Sequence, residues 1–254
     1  MAVGGNASAA TVHHPGITNV RPGGAVHAFR PGGVMHRVTG PHANVHGIKN
    51  AEESTNWSGY AVDSGKYSSV SASWTEPTAH CSGSTAKYAA FWVGLDGFNS
   101  SSVEQTGTDS DCDGSTPDYY GWYEMYPANP VYFTNAMSPG DHITASVTFS
   151  STSTYTLVLK DTTRGWTKTV TKSESGLARS SAEVITEAPS SYSGVLPLAN
   201  FGTINYTGSK DNGSSMGTQS PTAIVMIDNS GAQKDTTSSM TSTGAFSNTW
   251  LRSN

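Results

Sequence analysis

The chain has 254 residues, of which only 13% are charged, and its formal charge at neutral pH is −5. A chain of this length can bury one sizeable core, and all-β proteins of this size commonly form a single domain. The acidic balance, the lack of a basic stripe and the lack of a long apolar run exclude a nucleic-acid partner and a membrane span from our expectations.

Residues 1–50 differ in composition from the rest of the chain. They are rich in Gly, Pro and His, contain six of the eight histidines and four of the 14 Lys and Arg residues, and include no Asp or Glu. Residues 51–254 keep ten Lys and Arg against all 19 Asp and Glu, which gives a formal charge of −9. We interpret residues 1–50 as a basic, weakly structured arm and residues 51–254 as the folded body.

From residue 56 onward, short apolar or alternating runs recur between clusters of Gly, Ser, Asn and Pro. Each run has the length of a strand, and none shows the 3.6-residue stripe of an amphipathic helix. The predicted strands cover residues 60–62, 69–74, 88–95, 119–126, 143–149, 155–160, 167–171, 183–186, 199–206, 223–227 and 245–250. Residues 161–165 have turn chemistry and should close a hairpin. The pattern predicts an all-β fold, an antiparallel β-sandwich of the lectin-like jelly-roll kind with one concave face.

The two cysteines, Cys81 and Cys112, could form a disulfide that closes a loop around residues 91–105. The alternative is a pair of free thiols. A composition rich in Ser, Thr, Gly and Asn with few Lys is typical of secreted β proteins, which favours secretion and the disulfide.

Aromatic and acidic side chains cluster at residues 91–97 and 121–127. Because side chains alternate along a strand, Trp92 and Asp96 should point one way together, and so should Trp122 and Glu124. Flat apolar platforms beside a few carboxylates suit a groove that holds an extended polymer. The sequence therefore predicts a binding groove, although ordinary core packing would also account for the tryptophans.

The usual catalytic groups are scarce in the body. Its only histidines, His80 and His142, leave little for a Ser-His-Asp arrangement or a metal site, and we expect no metal and no cofactor. Residues 213–217 match the Gly-x-Ser-x-Gly pattern, but this motif requires a strand that enters a helix, and the Gly/Ser-rich segment has no helical pattern. Glu183 and Glu187 lie four residues apart, so both share one face of a strand or of a helix. By spacing alone, such residues are usually solvated at a sheet edge.

Five motifs follow one another along the body. They lie at residues 56–59, 92–97, 105–107, 122–127 and 182–187. In this order and at these separations they resemble the eqolisin family of glutamic peptidases (peptidase family G1), and the likeness extends over most of residues 54–254. The resemblance implies a secreted, acid-active β-sandwich endopeptidase, a bacterial-type member with a propeptide. It also implies a catalytic dyad of Gln105 and Glu187.

The sequence departs from the family pattern at two positions. Tyr120 stands where the family often has Asp, and Met125 stands where a second Trp is common. These changes bear on subsite preference more than on catalysis.

The residue types of the dyad suit the hydrolysis of a peptide bond. Glu187, as a carboxylate, can take a proton from the water that attacks the scissile carbonyl and then return it to the leaving amine. Gln105 cannot ionise, but its amide can hold that water and donate to the oxyanion, a contribution on the order of 3 kcal/mol in other enzymes. A base with an ordinary pKa of about 4.3 also works in mild acid.

Six further residues are expected to support the dyad, with the acids holding protons or orienting Gln105 and the tryptophans forming groove walls. They are Trp92, Asp96, Trp122, Glu124, Asp109 and Glu183, of which Asp96 and Glu124 are the acids given these tasks and Asp109 and Glu183 rank below them. Two other functions remain open from the residues alone. One is a glycoside hydrolase that uses Glu124 and Glu187 as its carboxyl pair. The other is a carbohydrate-binding module that stacks sugars on aromatic side chains.

The opposite charges of arm and body suggest how the two interact. At neutral pH a basic arm should be attracted to an acidic groove and block it as an intramolecular inhibitor. Acid should release the arm, which would then be cut between residues 46 and 54. The alternative is a leader without inhibitory role. We expect a monomer that acts on polypeptide substrates.

Overall fold

The structure is a computed structural model that describes residues 17–18, 29–30, 33–39, 48, 51–151 and 153–254. The first ten strands are β1 (Ile17–Thr18), β2 (Phe29–Arg30), β3 (Glu52–Ser54), β4 (Trp57–Val62), β5 (Ser69–Thr75), β6 (Ala90–Leu95), β7 (Val103–Asp113), β8 (Thr116–Tyr126), β9 (Val131–Phe133) and β10 (His142–Ser150). The other ten are β11 (Thr154–Asp161), β12 (Trp166–Ser173), β13 (Ala182–Glu187), β14 (Ser190–Ser191), β15 (Gly194–Val195), β16 (Thr203–Asp211), β17 (Ser214–Ser215), β18 (Thr222–Met226), β19 (Asp235–Thr237) and β20 (Phe246–Trp250).

Helical structure in the described part of the chain is limited to one 3-10 turn, Met216–Thr218. No helix in that part is long and apolar enough to cross a membrane.

Two large sheets form the molecule. The first has the strand order β1-β9-β8-β7-β6-β13-β4-β18-β3, and the second has the order β12-β11-β10-β5-β16-β20-β19, with β17 paired to β16. A small third sheet has the order β15-β14-β2. Neighbouring strands in the two large sheets pair antiparallel except β3 and β18, which are parallel. The predicted antiparallel β-sandwich is confirmed.

The core between the two sheets follows from simple alternation in the second sheet. Strand β5 buries Val70, Ala72 and Trp74 and leaves the Ser and Thr residues between them partly exposed. These side chains join Phe91 and Val184 of the first sheet in one apolar cluster. The alternation arises because one face of the second sheet packs against the core and the other meets solvent.

The first sheet is covered on both faces. Every residue of its strands β4, β6 and β13 is buried. One face packs on the second sheet, and the opposite face carries a second apolar cluster that includes Trp57, Trp92, Trp122 and Ile185. We call this opposite face the groove face.

Strand register places most of the candidate residues on the groove face. Residues paired directly across antiparallel strands project to the same side. Gln105 is paired with Gly94 and Glu124, and Gly94 with Glu183. In a second row, Ala90 is paired with both Asp109 and Glu187.

The cysteine prediction is confirmed. Cys81 and Cys112 form a disulfide with a Cα–Cα distance of 5.4 Å. The bond ties the segment after β5 to the distal end of β7, so it fixes the far end of a strand that also carries Gln105.

Several described pieces of the arm pair with strands of the body. Strand β1 pairs with the edge strand β9, and β2 pairs with β14. Arg37 forms an antiparallel bridge with Ser54 in β3, the opposite edge strand of the first sheet. The arm therefore contacts both edges of the first sheet.

Candidate active site

Glu187 ends strand β13 on the groove face. Its Oε2 atom accepts a hydrogen bond of 2.8 Å from Nε1 of Trp92, and its Oε1 atom accepts one of 3.4 Å from Nδ2 of Asn56. Trp57 packs edge-on against Trp92 with ring centroids 4.8 Å apart. Neutral N–H donors on both oxygens, inside an aromatic enclosure, hold this carboxyl group as a hydrogen-bond acceptor.

Gln105 lies in the middle of the groove-face row on β7. Its Nε2 atom donates a hydrogen bond of 2.9 Å to Oε2 of Glu124 on the neighbouring strand β8. Its Oε1 atom is buried and has no hydrogen-bond partner in the described part of the chain. A primary amide has two N–H groups, so this side chain keeps one donor and one acceptor for a further ligand.

The two candidate catalytic residues share a face but not a row. Strand β6 lies between them, and Glu187 stands four residues along β13 from Glu183, the residue in register with Gln105. Trp92 on β6 lies between the two rows and contacts a residue of each. Its indole nitrogen reaches Glu187, and its ring covers Gly94, where an added Cβ would stand 2.8 Å from the ring. A side chain at Gly94 would displace the tryptophan that positions Glu187.

Trp122 and Asp109 form a second bonded group on the groove face. Nε1 of Trp122 donates to Asp109 at 2.6 Å. The hydroxyl of Tyr120 lies 2.9 Å from Asp109 and 2.6 Å from Asp111. Tyr120, the first departure from the family pattern, therefore links two buried carboxyl groups behind the tryptophan.

Asp96 does not follow the predicted alternation with Trp92. Strand β6 ends at Leu95, and Asp96 has a left-handed φ of 70°, which redirects its side chain. Its carboxylate accepts hydrogen bonds of 2.6 and 2.8 Å from the backbone N–H groups of Arg179 and Ser180. The expectation that Asp96 points with Trp92 is wrong, because alternation holds only while the backbone stays extended. Asp96 instead fixes the segment before β13.

Glu183 is fully buried in the row of Gln105. Burial raises the pKa of Glu183 well above its ordinary value, and the negative charge of Asp96 adds to the rise. In acid this carboxyl group is therefore protonated and neutral.

Asn56 contacts Glu187, and sequence reasoning did not include it among the candidate site residues. It lies inside the first motif, but the spacing of that motif assigns it no role. Its contact with Glu187 joins positions 131 residues apart, so no local pattern reveals it. The only sign of this contact in the sequence is that Asn56 directly precedes Trp57 within the first motif.

The candidate groups are closed to solvent. The side chains of Gln105, Glu124, Asp109 and Glu187 are all 0% exposed. No group of three or more His, Cys, Asp or Glu side chains that could hold a metal ion occurs among the described residues.

The structure is thus a β-sandwich whose groove face carries buried carboxyl groups bonded to tryptophans and one amide bonded to a carboxyl group. The chain belongs to the Peptidase A4 family, whose model matches residues 55–250. This family is that of the eqolisins, so the resemblance seen in the motifs is confirmed.

Individual relatives agree with this assignment. The chain is 29% identical to aspergillopepsin-2 of Aspergillus niger over 205 residues, which cover 71% of this chain and 73% of the relative. It is 34% identical to scytalidopepsin B of Scytalidium lignicola over 179 residues, 67% of each chain. The crystal structure of scytalido-glutamic peptidase with a transition state analog inhibitor matches with a TM-score of 0.67 at 27% identity, covering 78% of this chain and 98% of that one.

Aspergilloglutamic peptidase from Aspergillus niger also matches in structure, with a TM-score of 0.58 and 28% identity over 65% of this chain and 99% of that one. The chain is thus a peptide hydrolase of the glutamic peptidase family. Sugar hydrolysis and sugar binding, the two alternatives, lose their support.

Proposed function

We propose that this protein is a secreted acid endopeptidase that uses Gln105 and Glu187 as its catalytic dyad and is made as a zymogen. The observation that carries the proposal is the state of the two side chains. Glu187 is held as an acceptor by Trp92 and Asn56, and Gln105 keeps an unpartnered amide oxygen on the same face.

The proposed mechanism assigns one task to each atom. The oxygen of the Gln105 amide accepts a hydrogen bond from the attacking water, whose proton passes to Glu187 as general base. The remaining N–H of Gln105 donates to the oxyanion of the tetrahedral intermediate. Glu187 then returns its proton to the leaving amine, which completes hydrolysis without any metal.

Glu183 is a weaker candidate for the base than Glu187, although it lies in register with Gln105. Its raised pKa leaves it protonated in acid, where a base must be ionised. Glu187 instead accepts an N–H donor at each of its two carboxyl oxygens.

The remaining candidates have supporting tasks in this proposal. Glu124 fixes the amide of Gln105, and Trp92 fixes the carboxylate of Glu187. Trp122 and Asp109 form a bonded wall of the groove. Neither Glu183 nor Asp96 touches the reacting atoms here; they support the site through the packing around β13.

The zymogen proposal rests on the closed site. The family model begins at residue 55, which supports a division into an arm of residues 1–50 and a peptidase domain of residues 51–254. Met35 of the arm is buried in the same apolar cluster as Trp92 and Trp122. We therefore propose that the arm inhibits its own body until acid releases it. The disulfide supports an oxidising, extracellular location, and we propose a monomer.

The dyad is tested by Glu187→Gln and Gln105→Glu in the full chain. After incubation at about pH 4, each variant should have lost peptide hydrolysis by at least about 10³-fold, in line with the loss of a general base or an oxyanion donor. Glu174→Gln, an exposed change of the same kind, should retain full activity. Near wild-type turnover in either dyad variant, with Glu174→Gln also active, would contradict the assignment.

A further inference from the structure

Residues 33–39 of the arm, which we call the strap, are bound to the body through their backbone. The N–H of Met35 donates to the carbonyl of Gly97 at 3.1 Å, and the N–H of Val38 donates to the carbonyl of Glu53 at 2.9 Å. The N–H of Thr55 donates to the carbonyl of His36 at 3.0 Å. A segment held in this way is recognised as a peptide, whatever its side chains.

The side chain of Asn56 forms hydrogen bonds with two further backbone atoms of the strap. Its Oδ1 atom accepts from the N–H of His36 at 2.8 Å, and its Nδ2 atom donates to the carbonyl of Val34 at 3.2 Å. The same Nδ2 atom lies 3.4 Å from Glu187. One amide therefore brackets Met35 on both sides and joins the strap to the carboxyl group that we propose as the catalytic base.

Met35 is the strap's buried side chain. It is only 8% exposed and belongs to the apolar cluster that contains Trp57, Trp92 and Phe98. Arg37 closes the pocket from outside, since its guanidinium lies 4.6 Å from the ring centroid of Phe98 and pairs with Glu52 at 3.4 Å. The pocket thus holds a linear apolar side chain next to a backbone clamp.

We propose that this clamp and pocket are a substrate-binding site, with the strap as its resident occupant. It takes an extended peptide whose backbone pairs with Gly97, Asn56 and Thr55 and whose unbranched apolar residue, Met or Leu, enters the pocket of Met35. Asn56 is then a positioning residue that holds substrate and Glu187 together. This inference rests on the proposed peptidase function and adds the substrate class that the site selects.

The first test places a charge in the pocket of the full chain. Met35→Asp should expel the strap, so hydrolysis of a Met-containing fluorogenic peptide at pH 6 should be at least tenfold faster than with the wild-type chain. Thr39→Asp makes the same charge change at an exposed strap position and should stay as latent as wild type. If Met35→Asp does not fold, Met35→Ala serves instead, with at least a threefold rise expected.

Acid-treated wild-type chain separates the two proposals. If it hydrolyses peptide while Met35→Asp remains latent, the strap does not occupy the substrate site and this inference is overturned, while the peptidase function stands. If neither hydrolyses peptide, the proposed function fails and the inference fails with it.

The second test supplies the strap as a separate peptide. A synthetic peptide of residues 33–39, added to the Met35→Asp chain, should raise KM without changing kcat, and the same peptide carrying Asp in place of Met35 should not inhibit. A peptide library digested by the Met35→Asp chain should show Met and Leu enriched at one position relative to the cut. Equal inhibition by the two peptides, or no enrichment of Met and Leu, would contradict the proposal that the pocket selects an unbranched apolar residue of the substrate.

The role of Asn56 is tested in the Met35→Asp background. Asn56→Ala should raise KM at least tenfold, because it removes a two-point clamp on the substrate backbone. A loss of thermal stability with unchanged KM would show a merely structural role.

Discussion

The first sheet buries both of its faces, whereas the second sheet buries only one. Strands β5 and β11 of the second sheet alternate between buried and partly exposed residues, as a structural sheet requires. Strand β7 of the first sheet is buried at ten of its 11 positions, although it carries Asp, Glu, Gln and Ser. Polar residues buried along a whole strand are costly unless bonded, and hydrogen bonds between β7 and β8, from Gln105 to Glu124 and from Trp122 to Asp109, offset part of that cost.

The largest effect is expected at Gly107, on the groove face of β7. A Cβ added there would stand 2.2 Å from the carbonyl oxygen of Phe91 and 2.5 Å from Cβ of Trp92, so the two strands would have to separate. Gly107→Ala should destabilise the fold by about 3 kcal/mol or more, in the range of severe overpacking. Chemical denaturation measures the loss.

Gly208→Ala is the matched change in the second sheet. No atom lies within 4 Å of its added Cβ, and only a positive φ of 60° opposes it. The expected cost is about 1 kcal/mol. Equal losses of unfolding free energy in Gly107→Ala and Gly208→Ala would contradict the difference in packing between the two sheets.

Stability should fall as the pH rises. Burial, with a smaller contribution from Asp96, raises the pKa of Glu104 to about 8, and burial also raises that of Glu76 to about 8 from 4.5. The folded chain keeps these protons at a pH where the unfolded chain releases them. Stability is therefore fully present below about pH 4.5 and is lost as the pH approaches 8, by a few kcal/mol per group.

Thermal unfolding between pH 4 and pH 9 measures this slope, in full chains that carry Glu187→Gln so that they do not cut their own arm in acid. Glu104→Gln keeps a neutral side chain in the buried site and should flatten the curve, whereas the exposed Asp113→Asn should leave it unchanged. Melting temperatures that rise from pH 4 to pH 8 would refute the prediction.

A smaller effect is expected when the donor to Glu187 is removed. Trp92→Phe deletes the 2.8 Å hydrogen bond and should lower kcat by about 10- to 100-fold, because a hydrogen bond to a charged group is worth about 1.5–3 kcal/mol. Trp74→Phe on the second sheet also deletes an indole hydrogen bond, of 3.0 Å to Thr108. It should cost stability but change kcat less than about twofold. Equal losses of kcat would mean that Trp92 acts only through packing.

The smallest expected effect is the difference in lost stability between two threonine substitutions, one in each large sheet. Thr106 in β7 is buried and donates to the carbonyl of Trp122 at 2.7 Å, so Thr106→Ala should cost about 1–2 kcal/mol. Thr169 lies exposed on β12, and Thr169→Ala should stay within about 0.5 kcal/mol of wild type. Urea denaturation of both variants measures the difference.

The sequence predicted the second sheet more sharply than the first. Residues 69–74 and 143–149 were expected as strands and match β5 and β10 to within one residue at each end. The expected hairpin at residues 161–165 joins β11 to β12. Alternation with solvent on one side leaves a clear periodic signal.

The first sheet gives a weaker signal. No part of β7 is among the predicted strands, and its residues 108–113 resemble a loop because they are rich in Thr, Asp and Ser. They are extended because β8 pairs along their whole length and β6 along their first part. Motif order pointed to Gln105 and Glu187, but the left-handed turn at Asp96 and the reach of Asn56 depend on contacts between distant parts of the chain.

The pairing of the arm with both edges of the first sheet has a consequence for association between molecules. Strand β1 adds to β9 at one edge, and the bridge of Arg37 adds to β3 at the other. Exposed edge strands are templates on which a second chain can pair its own strand. The intact arm thus occupies the two positions where copies of this sheet would otherwise join end to end. Loss of the arm would open both edges at once, and because acid also protonates the carboxyl groups of the body, charge repulsion would then do little to keep shortened chains apart.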